Sequence, residues 1–170
     1  YTFAGWDKEV PAKMPAGDMT ITAQWTANKY TATFDTDGGD VVAPIEAAYG
    51  SVIETPADPT KEGYTFAGWD LDNDKEADTL PETMPLNGFT AKALWNVNQY
   101  TITFDSDGGT EVASITQNYG TGIATPKAPE KEGYTFKGWL PELPTTMPAK
   151  DMKLTAQWQI NQYTITFDTD

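Results

Sequence analysis

Internal repetition constrains the fold of this chain more than any other feature of its sequence. Three motifs each occur three times: YTFAGW or YTFKGW at Tyr1–Trp6, Tyr64–Trp69 and Tyr134–Trp139; YTATFD or YTITFD at Tyr30–Asp35, Tyr100–Asp105 and Tyr163–Asp168; MTITAQW, FTAKALW or MKLTAQW at Met19–Trp25, Phe89–Trp95 and Met152–Trp158. Self-similarity at a period of several tens of residues is typical of arrays in which each copy is one structural unit. The sequence therefore predicts a tandem array.

The order of the motifs divides the chain into complete and partial repeats. We predict the C-terminal part of a truncated repeat at 1–25, complete repeats at 30–95 and 100–158, and the first strand of a following repeat at 163–170. Because the sequence begins and ends inside a repeat, we expect it to be a stretch of a longer polypeptide. The junctions at 26–29, 96–99 and 159–162 are too short for flexible tethers, so the array should form an extended rod.

Alternation of side chains predicts strands within each repeat. In the second complete repeat, Tyr100, Ile102 and Phe104 alternate with threonines, as in a strand with one buried face. The segment 125–132 contains two prolines and is predicted to be a loop. No segment has helical periodicity longer than two turns, so the fold class is mainly β.

Composition excludes several classes of function. The chain has no cysteine or histidine, and all eleven basic residues are lysine, which removes thiol nucleophiles, imidazole bases and ordinary zinc sites. The formal net charge of −14 argues against nucleic acid as a partner. No apolar run approaches the roughly 20 residues that span a bilayer, so direct membrane insertion of this segment is not expected.

Four ordered blocks of the second complete repeat resemble a known family. They are YTITFDSDGGTEV at Tyr100–Val112, the pair Tyr119-Gly120, the block at Pro126–Trp139 and the block at Thr146–Trp158. Together they are similar to the Listeria–Bacteroides repeat, the family that includes the internalin B-repeat. The resemblance implies a small α+β fold of the β-grasp (ubiquitin-like) type, repeated in tandem in bacterial surface proteins. It implies a role as stalk, spacer or adhesive module, without enzymatic activity.

The first complete repeat departs from this pattern by an acidic insertion of seven residues near 70–83. Asp70, Asp72, Asp74 and Asp78 alternate along it, and oxygen-rich loops suit calcium. The insertion is not an EF-hand, since a lysine stands where that loop needs glycine. A calcium site and a solvated, self-repelling loop are both open interpretations.

The Asp-x-Asp-Gly-Gly turns provide the other candidate cation sites. Asp35 and Asp37 stand in the first complete repeat, and Asp105 and Asp107 in the second. The pairs would offer carboxylate oxygens to calcium, although two carboxylates fall short of its usual ligand number. The alternative interpretation is a tight hairpin turn with solvated carboxylates.

Aromatic residues occupy the buried phase of the predicted strands. Exposed rings could stack on glycans, but a small unit needs such residues for its core, and we favour the core. Trp69 and Trp139, each of which follows a glycine, are expected to be partly exposed.

These observations predict a non-catalytic stalk or spacer in a bacterial cell-surface protein or surface fibre, located outside the cell. The alternative is an adhesive module that binds a host or neighbour-cell protein or glycan directly. The expected partners are neighbouring repeats of the same chain, like chains laterally or end to end, and a host or cell-surface ligand. No cofactor other than calcium is expected.

Overall fold

The computed structural model describes residues 1–168, and these residues form β-strands joined by turns and loops. The prediction of a mainly β fold is therefore confirmed. The helix that an α+β class implies does not occur anywhere in residues 1–168. One reason is local: the long connections before β5 and β9 each contain two prolines, which remove a backbone donor and disrupt a helix interior.

The strands are short, and each complete repeat contributes four of them. In chain order they are β1 Thr2–Trp6, β2 Ala23–Thr26, β3 Lys29–Asp35, β4 Ile45–Ala48, β5 Tyr64–Asp70, β6 Phe89–Val97, β7 Gln99–Asp105, β8 Ile115–Asn118, β9 Tyr134–Leu140 and β10 Met152–Ile160.

The two complete repeats form sheets of the same topology. The first sheet has the order β4-β3-β6-β5, and the second has the order β8-β7-β10-β9. In both, the central pair is parallel, with Ala32 opposite Phe89 in one sheet and Ile102 opposite Met152 in the other. Strands β4 and β8 are antiparallel to their neighbours, as is β9 to β10. The duplication seen in the sequence is thus a duplication of the fold.

The core of the second sheet follows the predicted alternation. Leu154 and Ala156 of β10 are buried, whereas the adjacent Lys153 is exposed. Leu154 forms a buried cluster with Ile102 of β7 and Met147 from the loop before β10, and each of the three is at most 1% exposed.

The first core is built from smaller residues at the equivalent positions. Ala32 and Ala91 stand where the second repeat has isoleucine and leucine. Trp69 is only 4% exposed, and Leu71 and Leu80 of the insertion pack against the same cluster. The expected exposure of Trp69 is therefore wrong, because the insertion contributes to the core instead of forming a wholly exposed loop.

The chain folds as two compact units. One contains Tyr1–Thr60 and Phe66–Trp95, and the other contains Lys61–Thr65 and the residues from Asn96 onward. Each unit therefore includes residues that belong, in sequence, to the preceding repeat. The first unit includes the whole of residues 1–25, and the second includes Lys61–Thr65.

The partial repeats behave differently from the complete ones. Strands β1 and β2 form a two-stranded antiparallel sheet, and their aromatic residues Phe3, Trp6 and Trp25 are exposed. The strand predicted from residue 163 is not formed: Tyr163–Asp168 lie outside any strand. Within residues 1–168 this segment has no neighbouring strand with which to pair its backbone N–H and C=O groups, which explains the difference. Residues 169 and 170, the end of that prediction, lie outside the described residues.

No helix within residues 1–168 has the length and apolarity needed to cross a membrane.

Candidate functional site

The acidic insertion leaves β5 at its last residue and returns as a narrow loop. The backbone N–H of Asp78 donates to the carbonyl of Trp69 at 2.7 Å, which closes the loop. Ala77 then lies over Gly68, where an added Cβ would stand 2.5 Å from the Ala77 Cβ. The base of the insertion is therefore packed, while residues 72–79 are exposed.

The carboxylate of Asp70 organises this loop from within. Asp70 is 4% exposed, and its Oδ1 accepts the backbone N–H groups of Asp72 at 3.2 Å and Asn73 at 2.7 Å. Its Oδ2 accepts the N–H of Lys75 at 3.1 Å. Asn73 and Lys75 have φ values of 67° and 71°, so the loop bends sharply around the carboxylate. These bonds give Asp70 a structural role that needs no cation.

Three of the four aspartates predicted to bind calcium come together. The carboxylate oxygens of Asp70, Asp72 and Asp78 lie within 4.8 Å of one another. Asp74 is not part of the group, and its Oδ1 instead accepts the N–H of Glu76. Hard oxygen donors suit calcium, which takes six to eight of them. The Asp70 oxygens already accept backbone hydrogen bonds, so calcium at this loop stays a prediction.

The Asp-x-Asp-Gly-Gly turns are held by protein contacts. Asp35 and Asp105 accept the backbone N–H of the second aspartate at 3.0 and 3.1 Å. Asp37 and Asp107 have φ values of 48° and 46°, in the left-handed region. Among residues 1–168, neither turn belongs to a group of three acidic ligands.

Lysines lie near three of the four turn carboxylates. Lys153 Nζ lies 2.9 Å from Asp105, and Lys131 and Lys92 lie 3.7 and 3.8 Å from Asp107 and Asp37. The side-chain hydrogen bond from Lys153 lowers the pKa of Asp105, and the Asp107 N–H and the lysine charge act in the same direction. This arrangement favours the interpretation of the turns as structural hairpins.

A tryptophan ring packs on the second glycine of each turn, which explains why glycine is needed there. Trp95 Nε1 donates to the Thr36 carbonyl at 3.0 Å, and a Cβ on Gly39 would stand 2.7 Å from the same ring. In the second repeat, Trp158 makes the equivalent bond to Ser106 and covers Gly109. The indole thus covers the turn, which only glycine permits.

The remaining aromatic residues of the complete repeats form connected ring contacts. Phe66 meets Trp69 at 5.2 Å and Trp95 at 5.5 Å, and Phe136 meets Trp139 and Trp158 at 5.2 and 5.6 Å. Such edge-to-face pairs add to the burial energy of the rings. Their connection to the cores supports the assignment of these residues to packing.

One recurring arrangement was not predicted from the sequence, and we call it the Tyr-Gly contact. In the second unit, the ring of Tyr119 lies so close to Gly63 that an added Cβ would stand 2.1 Å from it. The Tyr64 and Tyr119 rings meet edge to face at 5.9 Å. The backbone of Asn98 joins Gly63 to Tyr119. Its N–H donates to the Gly63 carbonyl, and its backbone carbonyl accepts the Tyr119 N–H, both at 2.9 Å.

The first unit contains the tyrosine pair and the asparagine bond of this arrangement, without the glycine. Tyr1 and Tyr49 meet edge to face at 6.1 Å, and the carbonyl of Asn28 accepts the Tyr49 N–H at 2.7 Å. The signal in the sequence is the asparagine that occupies the third position of every four-residue junction. The spacing alone does not reveal which residues this asparagine joins.

Comparisons with known proteins agree with these repeats. The model of the Listeria-Bacteroides repeat domain matches residues 30–90 and 100–157, more than half of the chain. The chain is 35% identical over 195 residues to a protein of Evansella cellulosilytica provisionally named a Gly-rich membrane protein, with 100% of this chain and 22% of the relative covered. It is 39% identical over 122 residues to Internalin H of Listeria monocytogenes, with 71% and 21% covered.

The chain thus spans about one fifth of the length of these relatives. Among solved structures, Streptococcal High Identity Repeats in Tandem (SHIRT) domains 3-4 from a cell surface protein match with 22% identity and a TM-score of 0.25. That match covers 78% of this chain and 98% of the other. Because the family model matches two tandem stretches that coincide with the two four-stranded repeats, the chain belongs to the Listeria-Bacteroides repeat family.

Proposed function

We propose that this segment is a non-catalytic tandem-repeat module of a bacterial cell-surface protein, where it acts as a stalk or spacer. The observation that carries the proposal is the use of the recurring residues. In both repeats the same tryptophans cover the same turns and the same rings pack on the core. The recurring residues therefore serve to build the fold of each repeat, as expected of a module whose role is structural.

The ionisable groups support the absence of catalysis. Active sites usually place groups of perturbed pKa in clefts. Here the perturbed groups belong to exposed ion pairs: a hydrogen bond between the partners raises the pKa of Lys127 and lowers the pKa of Glu130. Such pairs stabilise a surface only slightly and perform no chemistry.

A location outside the cell fits both the relatives and the composition. One relative is named a membrane protein and another an internalin, and we propose that this chain shares their surface setting. A net charge of −14 keeps such a segment soluble and disfavours contact with anionic surfaces. The proposed partners are neighbouring repeats and, in a surface fibre, like chains.

Replacement of the repeats in the parent protein tests the spacer role. One variant lacks the repeats, and a second carries an equal length of an unrelated folded module in their place. A spacer predicts that the replacement variant binds the parent's target as well as the wild type does, whereas the deletion variant binds less. An antibody against the parent's other region controls for equal display.

The adhesive alternative predicts the opposite result. If the repeats bind a host or neighbour-cell protein or glycan, the replacement variant fails although it is displayed at the correct length. Immobilised chain, added alone, would then capture the target. Loss of binding in the replacement variant would overturn the spacer proposal.

We also propose that each sheet is a β-grasp variant whose helix is replaced by an extended connection. The support is the strand order, in which two hairpin-like pairs meet through a parallel central pair. Extended backbone chemical shifts over residues 121–133 are expected, and helical shifts there would contradict the proposal.

Calcium at Asp70, Asp72 and Asp78 is a further proposal, supported by the proximity of their oxygens. In this role the ion would neutralise the insertion and stiffen the first repeat.

A further inference from the structure

The Tyr-Gly contact has a third copy in this chain that lacks its tyrosine. Residues 133–135 and Asn161 repeat the positions of residues 63–65 and Asn98. Asn161 donates its N–H to the Gly133 carbonyl at 2.8 Å, and Thr135 Oγ1 donates to Asn161 Oδ1 at 2.6 Å. The matching distances at residues 63–65 are 2.9 and 2.7 Å.

Tyr64 and its equivalent Tyr134, the tyrosines that follow the glycines, have the same lysine neighbour. Lys61 Nζ lies 4.7 Å from the centre of the Tyr64 ring, and Lys131 Nζ lies 4.7 Å from the centre of the Tyr134 ring. Gly63 and Gly133 both have a φ of 78°. The backbone and side chains around residue 133 are therefore already arranged as in the occupied copy.

The difference is confined to the covering ring. Gly63 is buried beneath Tyr119, whereas a Cβ on Gly133 would meet nothing within 4 Å. Tyr134 is 39% exposed, and Ile160 beside Asn161 is 66% exposed. A preformed, partly apolar surface is thus left open where the other copies hold a tyrosine.

We infer that the surface formed by Gly133, Tyr134 and Asn161 is a docking site for the tyrosine-glycine turn of a further copy of this repeat. The incoming tyrosine would stack edge to face on Tyr134 and cover Gly133. Its backbone N–H would donate to the Asn161 carbonyl, as the N–H groups of Tyr49 and Tyr119 donate to Asn28 and Asn98.

The occupant is specified by the occupied copies. Tyr49 and Tyr119 both precede glycines of positive φ, Gly50 and Gly120, at the end of a short strand. The bound group is therefore a turn that combines an aromatic ring with a free backbone N–H. The inference concerns how one repeat holds another, so it does not depend on the choice between stalk and adhesin.

A matched pair of alanine variants first measures the occupied contact. Gly63→Ala and Gly133→Ala impose the same left-handed backbone on alanine, but only the first also collides with a tyrosine ring. In the 170-residue chain, Gly63→Ala should raise the unfolding equilibrium constant at least about tenfold more than Gly133→Ala. Equal effects would remove the basis of the inference.

An extended chain then tests the open surface. A copy of residues 100–168 is placed after Gln162, so that a further tyrosine-glycine turn follows in register. The proposal predicts that Gly133→Ala now raises the unfolding equilibrium constant as much as Gly63→Ala does. Changing the added copy of Tyr119 to alanine should abolish the additional effect of Gly133→Ala, as measured in a double-mutant cycle.

Ring signals of Tyr134 provide a readout that needs no destabilising variant. In the extended chain, the NMR signals of this ring should shift and show contacts to the added tyrosine. If the added repeat is folded, and both the Tyr134 signals and the Gly133→Ala cost match those of the shorter chain, the docking site does not exist.

Discussion

At the scale of single residues, three methionines at equivalent sequence positions differ in burial. Met84 and Met147 are at most 1% exposed, whereas Met14, from the same place in the truncated repeat, is 94% exposed. All three precede proline in the loop that leads to the last strand of the repeat. The sequence does not distinguish them, because their burial depends on strands that only a complete repeat supplies.

Truncation of these methionines should therefore have unequal effects. Met84→Ala leaves a cavity in the first repeat and should lower its free energy of unfolding by about 2–5 kcal/mol. In the 170-residue chain, Met14→Ala removes no packing and should stay within about 0.5 kcal/mol of the wild type. Guanidinium unfolding measures both. Similar losses for the two variants would contradict the assignment of Met84 to a core.

The ion pair at Asp105 gives a prediction about pH. The pKa of Asp105 is lowered from 3.8, so the pair stabilises the fold above the unfolded pKa and loses this effect as the pH falls through the folded pKa. Lys153→Gln should raise the Asp105 pKa towards 3.8, as followed by carboxyl NMR titration. At pH 7 its effect on stability should be small, because the pair is exposed.

The matched control for this titration is Lys127→Gln, which removes an ion pair that does not involve Asp105. It should leave the Asp105 pKa where it is in the wild type. The account fails if Asp105 titrates at the same pH with and without Lys153.

At the scale of elements, the insertion turns a loop into part of the first core. Its Leu71 and Leu80 pack against the first core, whose strands carry alanine where those of the second repeat carry isoleucine and leucine. The acidic pattern of the insertion was visible in the sequence, but the separation of Asp74 from the group of Asp70, Asp72 and Asp78 was not. The packing of the insertion was not visible either, because the compensation between small strand residues and loop leucines depends on three-dimensional contact.

Gly68 and Gly138 test that packing as a matched pair. Their φ values are 131° and 127°, but only Gly68 has a neighbour, Ala77 of the insertion. Gly68→Ala should destabilise the protein by about 1–3 kcal/mol more than Gly138→Ala, as measured by thermal unfolding. Combining it with Ala77→Gly should recover most of the excess. An equal cost at both glycines would show that the insertion does not pack on β5.

Calcium binding by the insertion is tested by melting temperature. Millimolar calcium should raise the melting temperature above that in equal magnesium, since calcium tolerates irregular oxygen sites that magnesium does not. Asp78→Asn should abolish the calcium-dependent rise, whereas Asp74→Asn should preserve it, because Asp74 lies outside the cluster. Identical melting temperatures in the two ions would end the calcium proposal.

The strands were the most predictable elements. Alternation located β3, β6, β7 and β10, because each has one buried face with a period of two residues. The strand predicted from residue 163 is not formed within residues 163–168, because a strand needs a neighbouring strand with which to pair. The tryptophan contacts at the turns were also not predicted, since Trp95 and Thr36 are 59 residues apart.

At the scale of the whole molecule, repetition in the sequence specified the duplication of the fold but not the composition of each unit. Five residues, Lys61–Thr65, cluster with the second unit because Gly63 and Thr65 bond to Asn98. The motif periods alone assign those residues to the first repeat. Family membership follows from the motifs, whereas the choice between spacer and adhesin depends on surface chemistry that the repeated residues do not encode.

The central claim, that this is a module of a cell-surface protein, is tested most directly by labelling intact cells that produce the parent protein. An antibody raised against this chain should bind unbroken cells, and brief protease treatment of those cells should remove the signal. Labelling that appears only after the cells are lysed, and that survives protease on intact cells, would contradict the account.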